Sequence, residues 1–190
     1  MSLNTKFLGK EFYKFNKIDS TQAEIWRRIE KNNISSGTII SADIQTNGIG
    51  THGRIWHTDE ENNIAFSFFI KTNCKVIELD GITIEVAETI LEVLKKLYNI
   101  KLQIKQPNDI VYNNKKIGGI LCQTKLNGEL VKYIVIGIGL NTNKRYFSKD
   151  IESIASSIKK EFGININNDD VINEFCNLFE KKIIKRIGEK

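Results

Sequence analysis

Residue types that would mark particular classes of protein are scarce in this chain. Cysteine occurs three times in 190 residues, at Cys74, Cys122 and Cys176, and no two of them form a C-x-x-C pair. Neither a disulfide framework nor a zinc knuckle is therefore expected, and the cysteines are interpreted as reduced thiols. No apolar run reaches the roughly 18 residues that a membrane helix needs. The first residues also lack the apolar core of a secretory signal, so we expect a cytoplasmic protein with no membrane partner.

The composition is typical of one globular domain. Apolar residues make up 41% of the chain and charged residues 27%, and this length is enough for a single domain over residues 1–190 with its own core. The net charge of +5 is compatible with nucleic-acid binding. However, the lysines are spread along the chain and form no basic stripe. The charge equally suits a phosphate-bearing ligand or an acidic protein partner.

The apolar pattern predicts both helices and strands. A first helix is expected over residues 19–31, with Thr21 and Glu24 forming a capping box, and further helices over 80–99, about 148–162 and 169–187. Strands are expected at 37–43, 63–71, 100–106, 109–112, 115–125 and 129–141. Turns are expected at Asn113-Asn114 and Asn127-Gly128. This order favours an α+β fold, with a mixed or antiparallel sheet and helices packed on one face.

A glycine-rich segment, QTNGIGTHGRIW at residues 45–56, follows the first predicted strand. Its glycines would let backbone N–H groups approach an anion closely. The segment has neither the spacing of a Walker loop nor a following helix, so it is not a dinucleotide fingerprint. Arg54 offers a charged fork to phosphate, and Trp56 offers a flat ring for stacking. The alternative is a flexible surface loop.

Three other segments carry residues suited to ligand binding. Ser20 and Thr21 begin the first helix, where hydroxyls and free N–H groups meet an acceptor-rich ligand or simply cap the helix. Lys116 lies two residues before a Gly-Gly pair, where it could offset negative charge or be solvated. The segment VIGIGLNTN, residues 135–143, has glycines within a predicted strand, which indicates a close approach by a ligand or a bulge.

In this order and at these separations, the segments resemble the catalytic domain of biotin protein ligases, also called biotin–[acetyl-CoA carboxylase] ligases. The landmarks are STQ, QTNGIGTHGRIW, NIAFSF, KQPNDI, KKIGGIL and GIGLNTN. The resemblance covers about residues 15–143 and extends more loosely through the last two helices. It implies a fold like that of class II aminoacyl-tRNA synthetases. It also implies activation of biotin with ATP and Mg²⁺ to biotinyl-5′-AMP, followed by transfer to a lysine of a carboxylase carrier protein.

The resemblance also implies roles for matched residues. Lys116 and Arg54 would be catalytic, and Asp109 would be the magnesium ligand. The biotin-binding set would be Ser20, Thr21, Gln45, Gly48, Gly119, Gly137 and Gly139. The set that binds ATP or the adenylate would be Gly50, Gly53, Arg54, Trp56, Asn108, Asp109, Lys116 and Asn141.

The chain departs from the family pattern in several places. The family loop usually has arginines where this chain has Ile49 and Thr51, so we expect weaker retention of ATP or adenylate. Gln106 stands where the family usually has tryptophan. We expect neither an N-terminal helix-turn-helix domain nor the small SH3-like C-terminal domain of relatives, and hence no specific DNA binding. A homodimer is compatible with the resemblance.

Alternatives remain open at this point. A lipoate ligase or octanoyltransferase has a similar fold and a catalytic lysine, although its R-R-x-x-G-G-G pattern is not found here. A biotin-binding protein with weak or no turnover is a second alternative, favoured by Ile49 and Thr51. A nucleic-acid-binding module rests on charge alone.

Overall fold

The computed structural model describes residues 2–56, 58 and 63–188. The helices are α1 (Thr21–Glu30), α2 (Ile82–Tyr98), α3 (Ile158–Phe162) and α4 (Asn168–Ile187). The strands are β1 (Phe12–Ile18), β2 (Ile39–Gln45), β3 (Gly48–Ile49), β4 (Ile55–Trp56), β5 (Ile64–Lys75), β6 (Gln103–Lys105), β7 (Asp109–Tyr112), β8 (Lys115–Asn127) and β9 (Leu130–Leu140). Short 3-10 turns lie at Thr51–Gly53 and Val76–Leu79. No helix in the described part of the chain is both long and apolar enough to cross a membrane.

Seven strands form the main sheet, in the order β1-β2-β5-β9-β8-β7-β6. The pairing of β1 with β2 is parallel and the others are antiparallel. The expected α+β class with a mixed, mostly antiparallel sheet is confirmed. The β7–β8 hairpin turns at Asn113 and Asn114, both with positive φ, and the β8–β9 hairpin turns at Asn127-Gly128, with Gly128 at φ +61°. These turns are the ones predicted from the sequence.

The helices cover both faces of the sheet, which corrects the expectation that they pack on one face. Helices α2 and α4 pack against one face, where Phe175 and Phe179 of α4 contact Phe68 of β5. Helix α1 packs on the opposite face, where Ile25 joins a separate small core with Phe69. Neighbouring residues of a strand point to opposite faces of the sheet, so Phe68 packs against α4 and Phe69 packs against α1.

The start of α1 also differs from the prediction. Ser20, not Thr21, is the N-cap, and its side chain accepts a hydrogen bond from the Ala23 backbone N–H. Glu24 binds Arg27 and Arg28 instead of closing a capping box. Thr21 is thereby released from capping, and its hydroxyl is available to the neighbouring strands.

The helix predicted over 148–162 is mostly absent. Residues 149–154 form turns, the chain then runs extended, and only α3 is helical. The Lys116 backbone N–H donates to the Ile154 carbonyl and the Ser156 N–H donates to the Lys116 carbonyl. This parallel bridge to the start of β8 satisfies backbone groups that a continuous helix would have used itself.

Candidate functional site

Two clefts meet at Lys116 and Trp56, between the glycine-rich segment and the sheet. The inner cleft lies over β5, β8 and β9 and contains about 450 Å³ of space free of protein atoms, its mouth included. The outer cleft contains about 1020 Å³, measured in the same way. Gly50, Thr51, Trp56 and Lys116 line both clefts. A single elongated ligand could therefore extend from one cleft into the other.

The inner cleft brings together ten of the predicted site residues. They are Ser20, Thr21, Gln45, Gly50, Trp56, Asn108, Lys116, Gly119, Gly137 and Gly139. They come from five separate stretches of the chain. Their meeting depends on α1 crossing the sheet above β5 and β9.

One end of the inner cleft is a hydrogen-bonded polar network. Gln45 Oε1 accepts from the Thr21 backbone N–H at 2.8 Å and from the Thr21 hydroxyl at 3.1 Å. The Thr21 and Ser67 hydroxyl oxygens lie 2.9 Å apart, and Gln45 Nε2 donates to the Thr58 hydroxyl. Because α1, β2 and β5 each supply a member, this network is fixed by the fold and not by one loop.

Asp19 and Arg27 hold the start of α1 in place. Both Asp19 carboxylate oxygens accept from the Arg27 guanidinium at 2.7 Å, and one also accepts from the Ser20 N–H. The hydrogen bonds from Arg27 lower the pKa of Asp19 to about 2. Ser20 and Thr21 therefore follow a carboxylate that stays ionised across the physiological range.

Lys116 is held in place by its backbone, and its flexible side chain reaches an acidic partner. Its backbone pairs with the 154–156 segment, and its ammonium forms an ion pair with Asp109 at 2.7 Å. Asp109 stands opposite Gly119 in the β7–β8 pairing, which brings its carboxylate beside Lys116. The ammonium also lies 5.7 Å from the centre of the Trp56 ring. The lysine is thus a half-buried cation at the junction of the clefts.

The glycines of the strands make room for neighbouring side chains. A Cβ on Gly139 would lie 2.6 Å from Trp56 Cζ2, and one on Gly119 would lie 3.2 Å from Lys116 Nζ. A Cβ on Gly137 would lie 2.7 Å from Gln22 Oε1. The groups that approach these glycines are therefore the protein's own side chains, and the approach of a ligand stays a prediction.

The remaining predicted residues lie outside the inner cleft. Arg54 and Asn141 line the outer cleft, and Asn141 Nδ2 donates to the Ser156 carbonyl. Gly48 is buried against the Trp56 carbonyl in the β3–β4 pair, and Gly53 is an exposed turn residue with φ +72° and open space beside it. Neither Gly48 nor Gly53 lines a cleft, so the structure supports a packing role for one and a turn role for the other.

Several lining residues were not predicted. Gln22 and Ser67 line the inner cleft, and Lys144 and Phe147 line the outer one. A lone serine in the apolar segment NIAFSFFIK was the signal for Ser67, because a buried hydroxyl needs a partner. Lys144 is 7% exposed, with its ammonium 5.3 Å from the centre of the Phe147 ring. No sequence pattern distinguishes this lysine from the solvated ones.

Comparisons with known proteins agree with this geometry. The sequence pattern of the Biotin/lipoate A/B protein ligase family matches residues 15–141. The bifunctional ligase/repressor BirA of Bacillus spizizenii is 31% identical over 182 residues, which cover 95% of this chain and 56% of BirA. The chain therefore spans little more than half the length of this relative.

Two solved structures show the same fold. The biotin protein ligase of Aquifex aeolicus, in complex with biotin and ATP, has a TM-score of 0.76 at 26% identity, covering 95% of this chain and 73% of that one. The biotin protein ligase of Leishmania major, in complex with biotinyl-5-AMP, has a TM-score of 0.67 at 25% identity, covering 94% and 80%. The matched sequence pattern spans the glycine-rich segment, Lys116, Gly137 and Gly139. We conclude that this chain belongs to the biotin/lipoate A/B protein ligase family.

Proposed function

We propose that this chain is the catalytic part of a biotin protein ligase. It would activate biotin with ATP to biotinyl-5′-AMP and pass the biotinyl group to a lysine of a carrier protein. The observation that carries the proposal is the position of Lys116, whose ammonium lies where a polar-ended inner cleft meets an outer cleft lined by Arg54 and Lys144. Solved relatives in complex with biotin and ATP, or with biotinyl-5-AMP, support the same assignment.

In the first step a biotin carboxylate oxygen attacks the α-phosphorus of ATP, and pyrophosphate leaves. Negative charge builds on the α-phosphate oxygens, and a fixed cation beside them lowers the barrier. Lys116 would supply this cation, and the hydrogen bonds that hold its backbone to the 154–156 segment support the proposal. When the substrate oxygens arrive, the Lys116 ammonium would leave Asp109 for them or would contact both.

In the second step the carrier lysine attacks the acyl carbon, AMP leaves and the amine loses a proton. Lys116 would again offset the charge on the departing phosphate. Arg54 on the outer cleft would hold the nucleotide phosphate, Trp56 would pack beside the adenylate, and Asn141 would border it. Thr21 and Gln45 would bind the biotin head with Ser20, and bare backbone at Gly137 and Gly139 would line the pocket.

Magnesium would enter with ATP as part of the substrate. No group of three or more His, Cys, Asp or Glu side chains that could hold a metal ion occurs among residues 2–56, 58 and 63–188. Asp109 is a carboxylate within reach of the cleft and is shared with Lys116. Such a site fits Mg²⁺, which is commonly held by one or two carboxylates together with substrate phosphates. Asp109 is our proposed protein ligand.

The acceptor would be the biotin carrier domain of acetyl-CoA carboxylase or of another biotin-dependent carboxylase. We also propose that this reaction takes place in the cytoplasm. Lipoate is the alternative substrate within the same family. Thermal-shift measurements with biotin and with lipoate would show which of the two acids binds the protein.

The decisive experiment is the intact mass of a purified carrier domain after incubation with the protein, biotin, ATP and Mg²⁺. We expect one biotinyl increment, which Lys116→Ala abolishes or slows at least a hundredfold. Lys115→Ala is the matched control, because Lys115 is the adjacent lysine and its ammonium donates to the Glu152 carbonyl at the surface. Biotin binding without an increment or pyrophosphate release would identify a binding protein and reject the ligase assignment.

A further inference from the structure

We propose that a groove at the other end of the sheet binds a free long-chain carboxylate, with its alkyl chain between apolar side chains and its carboxylate at a rim of lysines. The groove lies where β5 and β9 meet the end of α4 and the N-terminal segment. None of its described lining residues lines either cleft of the candidate site. The inference goes beyond the proposed function and does not rest on it.

The first observation is an apolar interior. The groove contains about 1450 Å³ of space free of protein atoms, its mouth included, which is more than either cleft contains. Its apolar walls come from the N-terminal segment, β5 and α4, and they are Phe7, Ile70, Ile184 and Ile187. Ile184 is half-buried and belongs to neither hydrophobic core of the described residues. An apolar ligand would therefore complete the burial of this side chain.

The second observation is a cationic rim. Lys6, Lys71 and Lys132 line the groove, and all three side chains are exposed. Neither Asp nor Glu occurs among the lining residues that the structure describes. Glu180 lies nearby on α4, but its carboxylate already accepts from the backbone N–H groups of residues 6–8. Positive charge beside apolar walls is complementary to a ligand that has an anionic head and an apolar chain.

The third observation is a break in the sheet beside the groove. Thr72 and Asn73 of β5 stand against Lys132 alone on β9, because the register shifts between Lys71 and Cys74. Such a bulge bends its strand and points side chains in new directions. At this end β5 also extends past its pairing with β2. The groove therefore depends on the path of the backbone and not on the rotamer of one side chain.

An alkyl chain suits these walls better than a peptide does. A peptide would bring backbone N–H and C=O groups that need hydrogen-bond partners once they leave water. The side chains of Phe7, Ile70, Ile184 and Ile187 offer none. The Ser36 oxygen, which also lines the groove, already accepts from the Lys71 backbone N–H at 3.0 Å. An alkyl chain has no polar groups to satisfy, and each methylene that it buries adds affinity.

The first test is calorimetric titration of the protein with dodecanoate, below the concentration at which it forms micelles. We expect saturable binding that weakens about tenfold for every two carbons removed from the chain, because the groove buries the methylenes. Dodecyltrimethylammonium has an alkyl chain of the same length but a positive head, and should bind roughly tenfold more weakly than dodecanoate. Absence of dodecanoate binding, or equal binding of the two amphiphiles, would overturn the proposal.

A double charge variant tests the rim. Lys71→Glu combined with Lys132→Glu should weaken the binding of dodecanoate roughly tenfold and strengthen that of dodecyltrimethylammonium. The matched control is Lys17→Glu combined with Lys125→Glu, which makes the same change in net charge at exposed strand positions outside the groove. The control should leave both affinities close to those of wild type. Equal losses in the two double variants would assign the effect to net charge and reject the site.

A single variant tests the apolar wall. Ile184→Asn should weaken dodecanoate about tenfold, because the alkyl chain loses apolar contact. Ile77→Asn makes the same change at a side chain that is 73% exposed and lies outside the groove, and it should have no effect. A loss with Ile77→Asn and none with Ile184→Asn would show that the chain binds elsewhere.

A measurement on wild type localises the ligand without any variant. In protein with ¹³C-methyl-labelled isoleucine, dodecanoate should shift the signals of Ile70, Ile184 and Ile187. The signals of Ile120 and Ile138, which line the inner cleft, should not move, and biotin should not displace dodecanoate. Shifts confined to the inner cleft, or displacement by biotin, would place the molecule in the candidate site and overturn the proposal. Failure of the protein to bind biotin would reject the proposed function and leave this result unaffected.

Sedimentation with vesicles of phosphatidylglycerol separates a free carboxylate from a membrane surface. We expect the protein to bind monomeric dodecanoate and to stay in the supernatant with the vesicles. Vesicle binding that the Lys71→Glu and Lys132→Glu pair abolishes, without binding of monomeric dodecanoate, would make the groove a membrane contact and overturn the proposal.

Discussion

At Gly139, the absence of a side chain allows the Trp56 indole to lie in the cleft. A Cβ there would lie 2.6 Å from Trp56 Cζ2 and 2.7 Å from Nε1, so Gly139→Ala would push the ring outward and cost about 1–3 kcal/mol of stability. We expect acrylamide to quench Trp56 fluorescence more strongly in this variant. Trp56 is the only tryptophan in a Trp26→Phe background, so that background reports on it alone.

Gly119→Ala is the matched control. Its Cβ would lie 3.2 Å from the flexible end of Lys116 and at an ordinary 3.6 Å from the Trp56 ring. The lysine can move away, so Trp56 quenching should stay close to that of the parent. Equal quenching changes in both alanine variants would show that the position of the Trp56 ring in the cleft does not depend on Gly139.

Glycines illustrate how far residue roles can be predicted. A glycine inside a strand was expected to mark close approach by a ligand, whereas side chains of the protein approach Gly137 and Gly139. What approaches is set by residues distant in sequence: Gln22 on α1 and Trp56 on β4. A single sequence therefore predicts that a group lies close to the glycine, but it does not identify that group.

At the scale of elements, the Asp19–Arg27 ion pair should make the start of α1 sensitive to acid. The pKa of Asp19 is lowered to about 2, so the folded state stabilises the carboxylate. Its contribution is present above the ordinary pKa and is lost as pH falls from about 4 to about 2. Because both side chains are more than 40% exposed, we expect Asp19→Asn to cost no more than about 1 kcal/mol at neutral pH.

The measurement is the free energy of unfolding of wild type and Asp19→Asn at several pH values. The difference should be constant from pH 5 to 7 and should shrink towards zero below pH about 3. Asp43→Asn removes a carboxylate of similar exposure, paired with Lys14 at 3.5 Å, and should cost less at neutral pH. A difference for Asp19→Asn that persists at low pH would contradict the account.

Glu180 on α4 anchors the N-terminal segment. It is 5% exposed and accepts from the backbone N–H groups of Lys6 at 2.6 Å and of Phe7 and Leu8 at 2.9 Å. Glu180→Gln keeps the shape of the side chain but replaces one carboxylate oxygen by an NH2 group. This NH2 group is itself a donor and cannot accept from the backbone N–H groups. We expect a loss of about 2–3 kcal/mol.

Denaturant unfolding would measure that loss, and hydrogen exchange would localise it. Amides at residues 6–8 should exchange faster in Glu180→Gln than in wild type. Glu88→Gln, at an exposed position of α2, should change neither measurement. Loss of stability without faster exchange at residues 6–8 would show that Glu180 acts elsewhere.

Elements with strong local signals were predicted well, and those determined by tertiary pairing were not. Strands β2 and β5 to β9 and the long helices α2 and α4 were expected close to where they lie, because period and turn residues mark them. Residues 149–154 have a helical apolar pattern, yet the backbone of 154–156 pairs with Lys116 instead. The edge strand β1 was not predicted, because its residues are mostly exposed and show no clean alternation.

At the scale of the whole molecule, the sequence order of the landmarks was more informative than any one of them. α1, the glycine-rich segment, β8 and β9 are separated along the chain and line one cleft together with Lys116. Periodicity cannot place α1 on the face opposite α2 and α4, since an apolar stripe is compatible with either face. The family resemblance was carried by motifs, and helix placement is a property of packing.

The continuity of the two clefts leads to the last prediction, which concerns retention of the adenylate. Thr51 lines both clefts, and Ile49, 39% exposed, lines the inner one. Neither side chain carries a positive charge that would attract phosphate. Thr51→Arg should therefore add about 1 kcal/mol of attraction and slow the release of preformed biotinyl-AMP roughly fivefold, since a partly exposed charge pair is worth little more.

Rapid filtration of the preformed complex would measure that release rate. Thr46→Arg is the matched control, because it adds the same charge at an exposed position just before the glycines and outside both clefts. If Thr46→Arg slows release as much as Thr51→Arg, long-range charge is responsible. An effect of Thr51→Arg that Thr46→Arg does not share would assign retention to a local contact. Added salt should weaken such a contact only in part, because 0.1 M salt mainly screens charges more than about 10 Å apart.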